Sequence, residues 1–396
     1  YLYKEIDMLF ELLEKNNIKL NVKTIFFGGG SPTILNREDL KILVDRLKTK
    51  FNFSEVDNFT VEIDPRRVQS DRLLFYHTQG VNKLSFGVQD FDPKVQENIN
   101  RIQPSKLIDD ILTKEVRDKF KSINFDLLVG LPGQTVKTIS STIKEVIRLR
   151  PDRVALAYLA YNPDFHPHQR HMMMKSLLPD FYERKELFVE AVEMLSASEY
   201  VRTGFEHFAL PHDDVSKSLS KGKAYYNSFG ATTGDCTSVL ALGRSSYSTI
   251  GEDLYYQNFY KQNEYQSFLE AGKIPLERGW ILGKERKDEY VRDLQKFFPK
   301  GGSRMDQLVH QLLYAGLIEA RSCERFRLLS KSIADKKLQK FYRKLMISEA
   351  HHYTLFLKLA RRYGKNDKEV NQKWEALLEF EAQLMSKLGT EEKMHG

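Results

Sequence analysis

The hydrophobic pattern of this chain changes period once, near residue 300. Before that point short apolar runs alternate with amphipathic segments. After it, apolar residues recur at three- and four-residue spacing almost to the C-terminus. The strand-like runs are 24–27, 59–63, 83–87, 123–129 and 154–159, each short and rich in β-branched or aromatic residues. Helix-like segments at 37–48, 71–78, 93–99, 105–120 and 136–148 separate them, and 180–199 reads as a further amphipathic helix. Strand–helix alternation at this spacing predicts an α/β fold: a parallel sheet with crossover helices, closed into a barrel or a large part of one. In such sheets ligands sit at the C-terminal ends of the strands. The stretch 201–290 mixes short strands with polar loops, and Phe298-Pro-Lys-Gly-Gly-Ser303 reads as a linker. Beyond it, 308–329, 338–360 and 370–388 read as helices, with Gly364 suited to a stop and Asn366 and Asp367 to a restart. The expected domains are therefore 1–200, 201–295 and 304–396.

Composition narrows the class. With 41% hydrophobic and 29% charged residues over 396 positions, the chain is an ordinary globular one with room for two or three domains. The longest apolar stretch, 154–161, is far short of the ~20 residues that span a bilayer, so no membrane partner is expected. The opening YLYKEIDMLF lacks the basic n-region of a signal peptide, and a start without Met reads as a fragment. Two cysteines, Cys236 and Cys323, argue against a disulfide scaffold and for a reducing cytoplasmic location. Residues 304–396 carry 18 Lys and Arg against 12 Asp and Glu, most of the net +7. That excess suits an anionic partner such as RNA, although a lysine-rich solvated helical surface gives the same count.

Four polar features stand where the predicted strands run into loops. Gly28, Gly29, Gly30 and Ser31 end the first strand. Glu62 and Asp64 end the second, Gln89 and Asp90 follow the third, and Asp126 lies in the fourth. A glycine triplet alone is more often a turn, and Glu62 alone more often a salt-bridged residue. Their convergence on one rim favours a ligand site, because glycine lets a ligand approach the main chain closely.

The series FFGGGSPT, VEIDPR, KLSFGVQDF with INRIQ, NFDLLVGLPGQT and Glu206-His207-Phe208 resembles oxygen-independent coproporphyrinogen III oxidase, a radical S-adenosylmethionine family of haem and porphyrin biosynthesis, over about residues 1–290. The resemblance implies a partial (β/α)6 barrel, S-adenosylmethionine, a 4Fe–4S iron–sulfur cluster and a porphyrinogen substrate whose two propionates become vinyl groups. By match to the family motifs, Gly29, Gly30, Ser31 and Glu62 would contact S-adenosylmethionine, and Gln89, Arg101, Asp126 and Ala160 would add contacts, including those to a second molecule. Tyr247 falls at a weaker match. The family places a further strand and a CxxxCxxC-type loop ahead of the position of Tyr1, and Cys236 and Cys323 do not match that loop. A cluster needs thiolate ligands. The expectation is therefore an incomplete barrel and an oxidoreductase core that does not perform the family reaction by itself.

In the helical tail, Glu319 lies in one predicted helix and Glu349 with His352 in the next, at i, i+3 spacing on one face. Di-iron carboxylate bundles use two Glu and two Glu-x-x-His, so this tail holds half a set. An isolated Glu-x-x-His is usually an exposed helix face. Carboxylates in mostly apolar helices are costly unless paired or ligated, which favours a metal role. LIEARSCERFRLLS with FYRKLMISEAHHYTLFLKLARRY resembles the tRNA isopentenyladenosine hydroxylase family over about 300–390. That resemblance implies ferritin-like helices, a di-iron centre bound by Glu319, Glu349 and His352, and oxygen-dependent hydroxylation of a modified adenosine in tRNA. The family's first two helices have no counterpart here, and a homodimer would restore the ligand count.

Pro163-Asp-Phe-His-Pro-His-Gln-Arg-His171 holds three histidines but fits a surface loop beside the substrate cavity better than a metal site, with Arg170 available to substrate carboxylates. Cys323, next to the tail motif, fits a packed thiol. The whole chain reads as a fusion of two enzyme parts, with a radical S-adenosylmethionine function, a tRNA-modifying di-iron function, or binding surfaces without catalysis as the alternatives.

Overall fold

The computed structural model describes residues 1–163, 169, 178–227, 230–233, 238–251, 254–281, 289–299 and 301–386. The chain divides into two compact units, Tyr1–Gly283 and Lys284–Gly396.

The first unit opens with α1 (Leu2–Lys15), which the sequence patterning did not single out, and continues β1 (Thr24–Phe27), α2 (Arg37–Lys48), β2 (Asn58–Ile63), α3 (Ser70–Thr78) and β3 (Lys83–Gln89). Then come α4 (Pro93–Asn98), α5 (Ser105–Ile111), α6 (Lys114–Lys119), β4 (Ser122–Val129), α7 (Val136–Leu149), β5 (Arg153–Tyr158) and α8 (Phe181–Ser196). The single helix expected over 105–120 is two, because Thr113 caps the second by accepting from Val116 N. β6 (Val201–Arg202), β7 (His207–Ala209), α9 (Asp214–Ser220), β8 (Tyr225–Asn227), β9 (Gly230–Thr232), β10 (Tyr247–Ile250), β11 (Leu254–Asn258), α10 (Gln262–Glu270) and β12 (Leu276–Ile281) complete it.

The main sheet has seven strands in the order β1-β2-β3-β4-β5-β7-β6. β1 to β5 pair in parallel, and β7 adds to β5 antiparallel. Parallel strands are covered by crossover helices, which is why Val61, Phe86, Phe125 and Val154 are buried and why these runs read as nearly continuous apolar segments. Helix starts are locally encoded: Asn36 accepts from Asp39 N, and Thr135 with Thr138 forms a capping box at α7. At the N-terminal ends of the strands an ionic lock ties α9 to the sheet. Lys83 Nζ lies 2.7 Å from Asp214, and Arg153 lies 2.9 Å from Asp213. That end is filled by these ion pairs, and the other end carries the candidate ligand groups. β10, β11 and β12 form a separate antiparallel sheet.

The second unit contains α11 (Glu289–Leu294), α12 (Arg304–Ser332), α13 (Lys336–Tyr363) and α14 (Asp367–Met385). Ser303 and Asp306 form a capping box at α12, Asp335 accepts from two N–H groups of α13, and Asn366 caps α14. Gly364 caps α13 in an extended conformation, and the position needs glycine because a Cβ there would lie 2.3 Å from Val370. Its core gathers Tyr290, Leu294, Val309, Leu313, Leu317, Leu357, Ala360, Val370 and Leu377. From 318 to 356, no residue of α12 or α13 is fully buried. Among the described residues no helix is long and apolar enough to cross a membrane.

Candidate functional site

In the first unit, the expected groups converge where β1 to β4 end. Glu62, at the end of β2, accepts a hydrogen bond from Gly29 N at 3.2 Å. Gly28 must be glycine, since a Cβ would stand 2.7 Å from the Glu62 carboxyl and closer still to the Phe26 ring. Gly29 has φ +78°, and a Cβ at Gly29 or Gly30 would meet nothing within 4 Å, so this stretch of main chain faces open space. Burial pushes the Glu62 carboxyl up to about 7, with the nearby Asp126 charge adding to the rise and the Gly29 N–H opposing it. Asp126, in β4, accepts from Ser85 Oγ at 2.7 Å and Asn124 Nδ2 at 2.8 Å, and burial raises it too. Two carboxyl groups thus share a desolvated rim that favours a cationic ligand.

The β3 end adds a strained element. Gln89 has φ 66°, a left-handed backbone that a glutamine rarely adopts. Its side chain and Arg101 close over Gly87, where a Cβ would lie 2.9 Å from Gln89 and 3.1 Å from Arg101. Arg101 donates to Gly87 O at 2.8 Å and to Gln103 Oε1 at 2.9 Å, and lies 3.7 Å from Asp64. Asp90 instead turns inward. Fully buried, it accepts from Thr142 Oγ1 and Gln134 Nε2, both at 2.6 Å, and serves the scaffold rather than the rim.

Ser31 follows the glycine loop, and its hydroxyl lies 2.6 Å from that of Thr33. Ala160 O, just beyond β5, accepts from Gln169 Nε2 at 2.9 Å. Tyr247 stands apart, in β10 of the separate sheet, opposite Gln257 and half-exposed. Most of the histidine run, including His166, His168, Arg170 and His171, lies outside the described residues, as does Cys236. Sequence reasoning passed over His207 as a site candidate. The strand register aligns Gly87, Asp126, Ala155 and His207 in one row across the sheet. Its Nδ1 is buried without a hydrogen-bond partner among the described residues, and its ring fills the space a Cβ at Gly230 would need. The only sequence signal for it was the Glu-His-Phe segment.

In the second unit, one carboxylate oxygen each from Glu319 and Glu349 and a ring nitrogen of His352 lie within 4.8 Å of one another. His352 Nδ1 is 3.0 Å from Glu349 Oε2 and 3.9 Å from Glu319 Oε2. Burial and the hydrogen bond to Glu349 push Glu319 up to about 7, while that bond to Glu319 holds Glu349 down. Two carboxylates this close share a proton or a metal ion. This hard oxygen and imidazole set suits iron or manganese, and it fits one half of a two-metal carboxylate site. The His352 side chain is 50% exposed, so the triad is open on one side. Cys323 is partly buried, and its sulfur lies 3.5 Å from Met346 O.

Comparison with known proteins follows the same division. The radical SAM superfamily model matches residues 2–146, and the tRNA-(MS2IO6A)-hydroxylase (MiaE) model matches 261–396. Oxygen-independent coproporphyrinogen III oxidase of Pseudomonas aeruginosa is 35% identical over 280 residues, 70% of this chain and 60% of that protein. The Escherichia coli K12 enzyme is 34% identical over 276 residues, again 70% of this chain and 60% of the relative. The solved E. coli coproporphyrinogen III oxidase, a radical SAM enzyme, aligns with a TM-score of 0.65 and 31% identity, covering 79% of this chain and 66% of its own. The chain thus spans about three fifths of the length of the curated relatives it matches. Its N-terminal part is homologous to radical SAM coproporphyrinogen oxidases. Its C-terminal part is a helical segment consistent with a ferritin-like tRNA-hydroxylase domain.

Proposed function

We propose that the first unit binds S-adenosylmethionine across the glycine loop and Glu62, and that its substrate class is a porphyrinogen carrying propionates. The observation that carries this reading is the Glu62–Gly29 contact beside an open glycine main chain, over a desolvated pair of carboxyl groups. S-adenosylmethionine bears a sulfonium and an ammonium, and a cation held there draws the Glu62 proton off. Arg101, half-buried, braced by Gly87 O and Gln103 and 3.7 Å from Asp64, is a cation at this rim for a ligand carboxylate. The two cysteines of this sequence are fewer than the thiolates that hold a 4Fe–4S cluster, so the residues present do not fit that group.

Calorimetric titration of S-adenosylmethionine into the full chain tests the reading. Binding is expected, with Glu62→Ala weakening it roughly tenfold or more through loss of one charged contact. A wild-type chain that takes up no S-adenosylmethionine sinks it. Binding without release of 5′-deoxyadenosine would favour a binding-only role.

The triad of Glu319, Glu349 and His352 supports a second reading, iron binding for hydroxylation of a modified adenosine in tRNA. Bound iron supplies the oxygen chemistry. The chain's own residues hold it, and the +6 charge of 304–396 attracts the phosphate backbone. An anaerobic cobalt titration tests the ligand assignment, with Glu349→Ala expected to abolish uptake.

A further inference from the structure

We propose that two copies of this chain pair through α13 about a two-fold axis, joining the Glu319, Glu349 and His352 set of each into one two-metal site. The inference rests on the metal-binding reading of that triad.

The first ground is the donor count. A dicarboxylate bundle takes two Glu and two Glu-x-x-His, and the α12–α13 hairpin presents one of each with its open side toward solvent. A second copy supplies the identical missing half, whereas a foreign partner would have to carry the same motif independently. The second ground is a stripe on α13 that the unit's own core does not use. Leu338, Phe341, Leu345, Ser348, His352, Leu355 and Leu359 follow alternating three- and four-residue steps, the seam of a helix pair. Leu338, Phe341 and Leu355 are 43%, 52% and 49% exposed. Leu357 and Ala360, which are buried in the core, lie on a different side of the same helix. The metal-ligating His352 sits inside the exposed seam.

The third ground is position. A two-fold axis across an antiparallel helix pair sets one point of each helix against the same point of its copy, and the two helices overlap along their full length only when that point is mid-helix. α13 runs from Lys336 to Tyr363, which puts Glu349 at its centre. The absence of any fully buried residue over 318–356 fits the same pairing, because among the described residues α14 touches this stretch at its two ends only, through Arg321 with Glu381 and Tyr353 with Trp374.

Sedimentation equilibrium and cobalt titration on the full chain, under anaerobic conditions, test the pairing. The cobalt-loaded chain is expected at about 92 kDa, twice its 46.2 kDa, with about two cobalt ions per dimer. Phe341→Lys and Leu355→Lys change exposed seam positions that touch no ligand. Each should leave the circular dichroism and thermal melt of the metal-free chain intact, return the cobalt-loaded mass to that of one chain and weaken cobalt affinity roughly tenfold or more. A cobalt-loaded wild type that sediments as a single chain overturns the pairing while leaving the triad a metal site. So does a dimer whose mass and cobalt affinity ignore both seam variants. A wild type that takes up no cobalt removes the metal reading, and the inference with it.

Discussion

The two candidate sites are built on opposite principles. In the first unit, Glu62, Gln89 and Asp126 project from consecutive parallel strands whose apolar residues lie in one large core, and each carboxyl is placed by hydrogen bonds from neighbouring groups. In the second, Glu319, Glu349 and His352 are brought together by helix pitch and by one hairpin, with no fully buried neighbour on that part of either helix. A sheet holds a site by burying its foundation. A bare helix pair can hold one only by covering it with something else. The difference predicts unequal sensitivity to mutation.

The largest expected effect separates the two foundations. Phe125→Ala, at a fully buried position of β4, should cost about 3–5 kcal/mol in denaturant unfolding followed by a probe in the first unit. Leu328→Ala, at a position of α12 that is 55% exposed, should cost less than about 0.5 kcal/mol. A comparable loss at Leu328 would mean that the hairpin is packed more tightly than its exposure implies, and the contrast would fail.

Next comes the pH dependence of the rim. The Glu62 carboxyl rises from 4.5 to about 7 on folding. Below 4.5 both states hold the proton. As pH rises the unfolded chain releases it first, so stability is lost until the folded carboxyl also ionises. Glu62→Gln should therefore stabilise the ligand-free chain at pH 8 by up to roughly 3 kcal/mol and change little at pH 4. S-adenosylmethionine binding should strengthen in the wild type across the same interval as Glu62 ionises. A stability difference that is flat in pH would show that Glu62 is solvated and would remove the electrostatic part of the site.

A smaller effect isolates the glycine loop. Gly28→Ala forces a Cβ against the Glu62 carboxyl and the Phe26 ring, and should cost about 1–3 kcal/mol while displacing the carboxylate from Gly29. Gly30→Ala meets no atom within 4 Å and should leave the melt unchanged. Any loss it causes must then appear in S-adenosylmethionine affinity alone. Equal destabilisation by both would mean that the loop packs as an ordinary turn.

Much of this was legible in the residues, for identifiable reasons. β1 to β5 announced themselves because parallel strands covered by helices read as apolar runs bounded by glycine and charge. Glu349 and His352 were legible because i, i+3 spacing fixes a shared face whatever the surroundings. Gln89 was legible as a rim residue but not in its left-handed backbone, since glutamine carries no local signal for that conformation. His207 was illegible as a member of the row that holds Asp126, because their alignment depends on β7 joining β5 antiparallel after a connection of 48 residues between Tyr158 and His207. The break between α5 and α6 was missed because Thr113 interrupts a segment whose apolar spacing continues across it.

The smallest expected effect sharpens the account of the second unit. Ser303 starts α12 by accepting from Asp306 N, while the Asp306 carboxylate lies 2.7 Å from its hydroxyl and 3.3 Å from its N–H. Those bonds hold the Asp306 carboxyl below its ordinary value. Ser303→Ala removes the cap and should cost about 1 kcal/mol, read as a lower melting temperature for the helical unit. Val309, Leu313 and Leu317 anchor this end of α12 in the core, whereas Glu319 lies beyond them. Losing the cap should therefore loosen the first turn without moving the ligands, and cobalt affinity should stay unchanged. If cobalt affinity fell with the melt, α12 would be transmitting strain along its length as a rigid rod, and the triad would depend on the buried end of the unit after all.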